Sequence, residues 1–194
     1  LVIQNIQISY MMNELDDKFI EKSVNKANLL TLTMSKTIDD FRNFFKPNKE
    51  LNKFSLHIAI KNSLSLIEST FNHNNINEDI EVVGFQNEFS QVILNILTNS
   101  KDALLENDMI KLRVSIEIKK SNSFGSVIIK DNAGGIPESI IGKVFEPYFT
   151  TKEEGKGTGI GLYMSKIIIE KNMHGKLSVK NTQDGAEFMV SIPL

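Results

Sequence analysis

The stretch GKGTGIGLYMSK (155–166) alternates four glycines with other residues and then breaks into an apolar helical pattern. Gly155, Gly157, Gly159 and Gly161 carry no Cβ, so they tolerate positive φ and let a ligand come close to backbone N–H groups. The helix that follows, expected from about Ile160 to Met173, presents unpaired N–H groups and the positive end of its dipole, which favours an anion. Phosphate is the obvious anion. The spacing matches neither G-x-x-x-x-G-K-[ST] nor a G-x-G-x-x-G opening a βαβ unit. Taken alone, the segment reads equally well as a flexible surface loop.

Totals narrow the field. The chain has 194 residues, enough for one good core and a smaller element. Its formal charge is 22 − 24 = −2, which gives no bulk attraction to nucleic acid or to an anionic membrane. With no cysteine, a disulfide scaffold and a thiolate-ligated metal are excluded, which is compatible with a reducing compartment. No apolar run approaches the roughly 20 residues of a membrane span, no signal peptide is visible, and no membrane contact is expected. The chain starts at Leu1, and it is expected to be a piece of a longer protein.

Residues 1–45 contain neither Gly nor Pro. Ile20, Val24, Ala27, Thr31, Met34, Ile38, Phe41 and Phe45 alternate steps of four and three, a heptad seam with one polar position. Residues 1–13 are also helix-like, and "NELDDK" between the two reads as a turn with Asp16 or Asp17 as N-cap. The expectation is a helical hairpin over residues 1–48 whose seam pairs with a second copy. "KPNKELNK" (46–53) marks the boundary, and residues 49–194 form the second domain. There a helix is expected from Ser55 to about Phe71, with Leu56, Ile60, Leu64, Ile67 and Phe71 on one face. "EDIEVVG" reads as a short strand and residues 88–106 as an amphipathic helix. "LRVSIEIKK", "SVIIKD", "KLSVKN" and "EFMVSIPL" read as strands. Helices layered on one face of a mixed sheet follow from this order.

Three further segments carry chemistry. In "SVIIKDNAGGIPESI" a buried strand ends at Asp131, and Pro137 suits the first position of a helix. A carboxylate fixed at a strand end can accept a hydrogen bond from an exocyclic amine, although Asp-Asn beside Gly is also an ordinary turn. In "FSQVILNILTNSKDALL", Asn95 and Asn99 share one helix face while Val92, Ile93, Ile96, Leu97 and Leu104 face the core. Two amides mid-helix carry a propensity cost. Their carbonyl oxygens suit Mg²⁺, which takes oxygen ligands and keeps waters and phosphates, unless they are simply solvated. In "KVFEPYFTTK", Phe145, Tyr148 and Phe149 precede Thr150, Thr151 and Lys152, as aromatic anchors of a loop that carries a lysine would.

In this order N-x3-N, D-x-A-x-G, F-E-P-Y-F and G-x-G-x-G-x-G resemble the N, G1, F and G2 boxes of the ATP-binding domain of sensor histidine kinases, in the GHKL superfamily. "DGAEFMVSIPL" resembles the closing strand of that family and "SKTIDDFRNFF" the second helix of its dimerisation hairpin. The resemblance covers residues 54–194 and extends into the hairpin. It departs from the family pattern at Ala133, where glycine is usual; a methyl group there is expected to be tolerated.

The resemblance implies an α+β fold: an α/β sandwich of the Bergerat type, with a mixed, mostly antiparallel sheet and helices on one face. It implies ATP and Mg²⁺ as cofactors, with Asn99 ligating the metal and Asn95 beside it. Asp131 is implied to hold the adenine amino group, and Gly135 to allow close backbone approach. Lys152, Gly157, Thr158, Gly159, Gly161 and Leu162 are implied to line the phosphate side, under a lid around 150–158. Hydrolases of the superfamily resemble this fold but have glutamate where Asn95 stands. An amide cannot accept a proton at neutral pH, so γ-phosphoryl transfer to another nucleophile is favoured over hydrolysis. The implied partners are a response-regulator receiver domain and a second copy of the chain, and the implied setting is cytoplasmic.

A histidine kinase also needs an acceptor histidine on its first hairpin helix, and residues 1–45 contain none. His57, His73 and His174 suit surface or capping roles. The acceptor is therefore expected about two helical turns upstream of Leu1. The alternatives are a related ATP hydrolase and a nucleotide-binding module with no phosphoacceptor of its own.

Overall fold

A computed structural model of the chain describes residues 4, 6–7, 10, 17–44, 51–65, 79–106, 113–152 and 157–194. Two compact units are present: Leu1–Pro47 with Thr150–Thr158, and Asn48–Phe149 with Gly159–Leu194.

In the first unit one helix, α1 (Asp17–Phe44), runs for 28 residues. Free of glycine and proline, it has nothing to break it. The polar seam position is satisfied locally, since the Thr31 hydroxyl donates to the Ala27 carbonyl at 2.9 Å. Ile20, Val24, Met34 and Ile38 of the heptad seam are exposed. Residues 4, 6–7 and 10 are helical; the expected turn and the last seam residue, Phe45, lie outside the described residues.

The second unit orders β1 (Asn52–Ser55), α2 (Leu56–Ser65), β2 (Glu81–Gly84), α3 (Gln86–Glu106), β3 (Val114–Lys120), β4 (Phe124–Asp131), α4 (Glu138–Ile141), α5 (Gly161–Ile167), β5 (Lys176–Asn181) and β6 (Ala186–Pro193). A four-stranded sheet runs β3-β4-β6-β5, and β1 pairs with β2 in a separate ladder. All these pairings are antiparallel. Period-two alternation gives the sheet one buried face, seen in β6 as Ala186, Phe188, Val190 and Ile192. That face forms the core with Leu56, Ala59 and Ile60 of α2 and with Phe89, Val92, Ile93, Ile96 and Leu97 of α3.

Three details depart from the sequence expectations. Asn52–Ser55 is a strand where the end of the boundary segment 46–53 and a helix start at Ser55 were expected, because only Phe54 of its four residues is buried and the pattern carries little signal. The Phe54 ring meets the Phe89 ring at 5.5 Å, tilted by 51°. Helix α2 then begins at Leu56, capped by Ser55, whose Oγ accepts from Ile58 N at 3.0 Å and donates to Asp79 at 2.6 Å. The helix is described to Ser65, so Ile67 and Phe71 lie outside the described residues. The third departure is at the end of α5, which continues as a π-type turn over Ile168–Asn172. This turn aims the Asn172 amide at the buried Glu88 carboxylate, 3.1 Å away.

Gly125 sits inside β4 where β2 crosses the core. A Cβ there would lie 2.8 Å from Val82 Cγ1 and 3.1 Å from both Ile80 Cγ2 and Leu56 Cδ1. On the outer face, Lys130, Glu187 and Lys180 stand in register on three adjacent strands. Each lysine reaches the carboxylate at 3.0 Å. Burial pushes the Glu187 carboxyl up, but the hydrogen bonds and charges of Lys180 and Lys130 outweigh it and hold the group below its usual value.

Two outcomes follow. Gly125→Ala lowers stability by about 1–3 kcal/mol in urea unfolding, through overpacking against β2 and α2. Because Glu187 has a folded pKa below its unfolded one, it contributes stability above the unfolded value, and that contribution is lost as pH falls through the lower folded value. The melting-temperature gap between wild type and Glu187→Gln is therefore largest near neutral pH and closes in acid. It also narrows in high salt.

Candidate functional site

The centre of the site is a carboxylate at the end of a strand. Asp131 is the last residue of β4 and is 8% exposed. Its Oδ1 accepts from Ala133 N at 3.1 Å and from Ala186 N at 3.0 Å, and its Oδ2 accepts from Ser100 Oγ at 2.8 Å. A carboxylate offers about four acceptor positions, so one remains on Oδ2. Gly185 makes this packing possible, because a Cβ there would fall within 2.6 Å of Asp131 Oδ1. Ala133 is buried and is not among the residues with positive φ, so alanine fits that backbone without strain.

The loop after Asp131 is clamped on both sides. Asn132 Oδ1 accepts from Arg113 N at 2.9 Å, and Gly134 N donates to the Asp184 carbonyl at 2.9 Å. Gly134 and Gly135 both have φ +84°, where only glycine is unstrained. Asn181 pairs with both backbone groups of Ile136: its Oδ1 accepts from Ile136 N at 2.8 Å, and its Nδ2 donates to Ile136 O at 2.7 Å. Pro137 is the N-cap of α4, with ψ 134°, and not its first helical residue. Extended backbone at the proline delays the helix by one position.

Helix α3 brings the two asparagines. Asn95 Nδ2 donates to the Gly161 carbonyl at 3.3 Å and to Ser165 Oγ at 3.2 Å, while Ser165 Oγ itself donates to Gly161 O at 2.9 Å. A carbonyl can only accept, so the Asn95 amide nitrogen must face Gly161 and its Oδ1 points the other way. A Cβ on Gly161 would sit 3.8 Å from Asn95 Cγ, so α5 starts directly against this amide. Asn99, one turn along, is half-buried and its side chain makes no hydrogen bond among the described residues. Ser100 then ties the same helix to Asp131. Among the described residues no group of three His, Asp or Glu could hold a metal. The oxygen donors on offer are the amide oxygens of Asn95 and Asn99, a sparse set that suits Mg²⁺ completed by phosphate and water.

Tyr148 has φ 65° and is 71% exposed, so its ring is not the anchor expected of it. Its backbone makes the contact instead. Gly159, at φ +63°, packs where a Cβ would lie 2.6 Å from Tyr148 O and 2.7 Å from Phe149 N. The two chain segments thus meet backbone to backbone. Phe145 is half-buried, with Lys166 Nζ 5.0 Å from its ring centroid. Leu162 is half-buried in the first turn of α5. In the first unit, Lys152 N donates to Thr150 Oγ1 at 3.2 Å, and Gly157 packs so that a Cβ would lie 3.1 Å from Lys152 Cβ. Thr158 is half-buried, and Gly155 lies outside the described residues.

The second unit therefore gathers Asn95, Asn99, Asp131, Gly135, Gly159, Gly161 and Leu162, and Lys152, Gly157 and Thr158 belong to the first. Ser100, Ser165, Asn181 and Gly185 were not singled out from sequence. Only Gly185, in an Asp-Gly turn, carried a local signal.

The family described as histidine kinase-, DNA gyrase B- and HSP90-like ATPase matches residues 84–194. The catalytic domain of the histidine kinase ThkA superposes with a TM-score of 0.65 and 30% identity, over 75% of this chain and 96% of that one. The two-component sensor PprA of Pseudomonas aeruginosa is 43% identical over 116 residues, 58% of this chain and 12% of that protein. Sporulation kinase A of Bacillus subtilis is 33% identical over 137 residues, 66% of this chain and 22% of that protein. The chain thus spans under a quarter of the length of PprA and of sporulation kinase A. It belongs to the ATP-binding family of histidine kinases, DNA gyrase B and HSP90, and within it to the histidine kinase catalytic domains.

Gly159→Ala costs about 1–3 kcal/mol in chemical denaturation, because both its φ and its contact with Tyr148 exclude a side chain. Gly142→Ala, at φ −68° with nothing within 4 Å, is neutral or stabilising by up to about 1 kcal/mol.

Proposed function

We propose that the chain is the ATP-binding catalytic part of a sensor histidine kinase, transferring the γ-phosphoryl group of Mg–ATP to a histidine for relay to a response regulator. The observation that carries this reading is the open acceptor position on Asp131 Oδ2, in a carboxylate otherwise fixed by three protein donors. A buried, oriented acceptor of this kind recognises an exocyclic amine and rejects a purine that presents a carbonyl there.

The remaining roles are those that the resemblance implies. Asn99 would hold Mg²⁺ through its amide oxygen, with Asn95 Oδ1 as a second candidate donor. Mg²⁺ supplies charge neutralisation across the phosphates. Gly135 keeps the loop backbone bare near the base, and Gly161 keeps α5 close to Asn95. Lys152 and the segment with Gly157, Thr158, Gly159 and Leu162 hold the phosphate side. Asn95 donates to Gly161 and Ser165, and as an amide it cannot serve as the base that activates water. Transfer to a separate nucleophile then rests on positioning and charge stabilisation.

The partners are a receiver domain and a second copy. ThkA, whose crystal structure in complex with the response regulator protein TrrA matches 99% of this chain and 57% of that one at a TM-score of 0.64 and 25% identity, supports the first. The exposed seam residues Ile20, Val24, Met34 and Ile38 support the second, since an apolar heptad face is stable only when covered. None of the described helices is long and apolar enough to cross a membrane, and we place this part of the protein in the cytoplasm. Residues 1–48 are assigned to the hairpin domain and 49–194 to the catalytic domain.

Calorimetry is expected to show Mg–ATP binding to the chain and at least about ten-fold weaker binding to Asp131→Asn. Mixed with labelled ATP and a separate helical hairpin that carries an acceptor histidine, the chain labels the hairpin. Binding without any label transfer would reduce the reading to a nucleotide-binding module.

A further inference from the structure

Two segments that are far apart in sequence both donate to Asp131 Oδ1. The loop 132–137 supplies Ala133 N, and the start of β6, directly after the β5–β6 turn, supplies Ala186 N. Their relative placement decides how the carboxylate is rotated, and hence where the open side of Oδ2 faces. Gly134 N, donating to the Asp184 carbonyl at 2.9 Å, ties the loop to the turn through backbone, and Asn181 adds a side-chain tie between the loop and the end of β5. Asn181 stands at the end of β5 and binds both the N–H and the C=O of Ile136, as a neighbouring strand would. Its Nδ2 also donates to Glu138 Oε1 at 3.1 Å.

The fit is specific to this residue. Serine's hydroxyl can both donate and accept, but it is one oxygen on a shorter side chain and cannot occupy the two separate positions filled by Asn181 Oδ1 and Nδ2. Aspartate keeps the acceptor but loses the donor, and it places a second charge beside Glu138. Gly135 is shaped to Asn181 as well: a Cβ there would lie 2.9 Å from Asn181 Oδ1 and 3.4 Å from the Gly185 carbonyl. The bare backbone at Gly135 is thus required by a protein contact, whatever the ligand needs.

We infer that Asn181 is a positioning residue for base recognition, acting through the 132–137 loop and the β5–β6 turn to set the orientation of the Asp131 carboxylate. This rests on the reading of Asp131 as the acceptor for the adenine amine.

The test measures binding of two nucleotides by the 194-residue chain. One is Mg–ATP. The other is purine riboside triphosphate, which lacks only the exocyclic amine. Wild type is expected to prefer ATP. Asn181→Ala is expected to weaken ATP by roughly ten-fold and the amine-free analogue by much less, so that the preference collapses. Glu138→Gln leaves both affinities nearly unchanged. Equal weakening of both nucleotides by Asn181→Ala would make Asn181 a merely structural residue and overturn the inference, as would unchanged affinity for both. If circular dichroism shows Asn181→Ala unfolded, the same ratio is read in Asn181→Asp, where a wild-type preference overturns the proposal and a reduced one supports it. A wild type with no preference for ATP would instead remove the role of Asp131 itself.

Discussion

A buried carboxylate with three protein donors organises the catalytic unit. Asp131 ends the second strand of the sheet, and its partners come from α3, from the loop that follows it and from the start of β6. A charge in that position is tolerable only when it is hydrogen-bonded, so each of these elements is tied to the others through one side chain. The helix that carries Asn95 and Asn99 is held there by Ser100, its own next residue. The strand-end carboxylate and the helix with the two amides therefore share a single anchor.

Much of this was legible in the sequence because it follows a period. The strands of the main sheet alternate, and the inner residues Val114, Ile116 and Ile118 are buried as the pattern requires. Helix α3 shows its apolar stripe and aligns the two asparagines. What was not legible depends on contacts between residues far apart in the chain. Ser100 is separated from Asp131 by 31 positions and Asn181 from Ile136 by 45, and nothing local in either residue announces its partner. The strand at Asn52–Ser55 was hidden for a different reason: with one buried residue, it takes its identity from β2 and from the Phe89 ring. The π-type turn after α5 is likewise invisible to a helical periodicity that it barely disturbs.

Several glycines serve contacts within the protein that the sequence does not announce. Their spacing suggests bare backbone for phosphate. Gly159, however, is required by the backbone of Tyr148 and Phe149, Gly135 by the Asn181 amide, and Gly185 by Asp131 itself. Each permits one protein segment to lie against another at a distance that a methyl group would forbid. The loops around Asp131 are built from such close contacts. The same economy of space explains why Ala133 is accepted where the family pattern has glycine: its backbone is ordinary and its methyl is buried.

A crystal structure of the chain with Mg²⁺ and a non-hydrolysable ATP analogue tests the central claim most directly. The account predicts the adenine amine at about 3 Å from Asp131 Oδ2, with Ser100 still donating to the same oxygen. An adenine seated elsewhere, with Asp131 bonded only to its own chain, would contradict it.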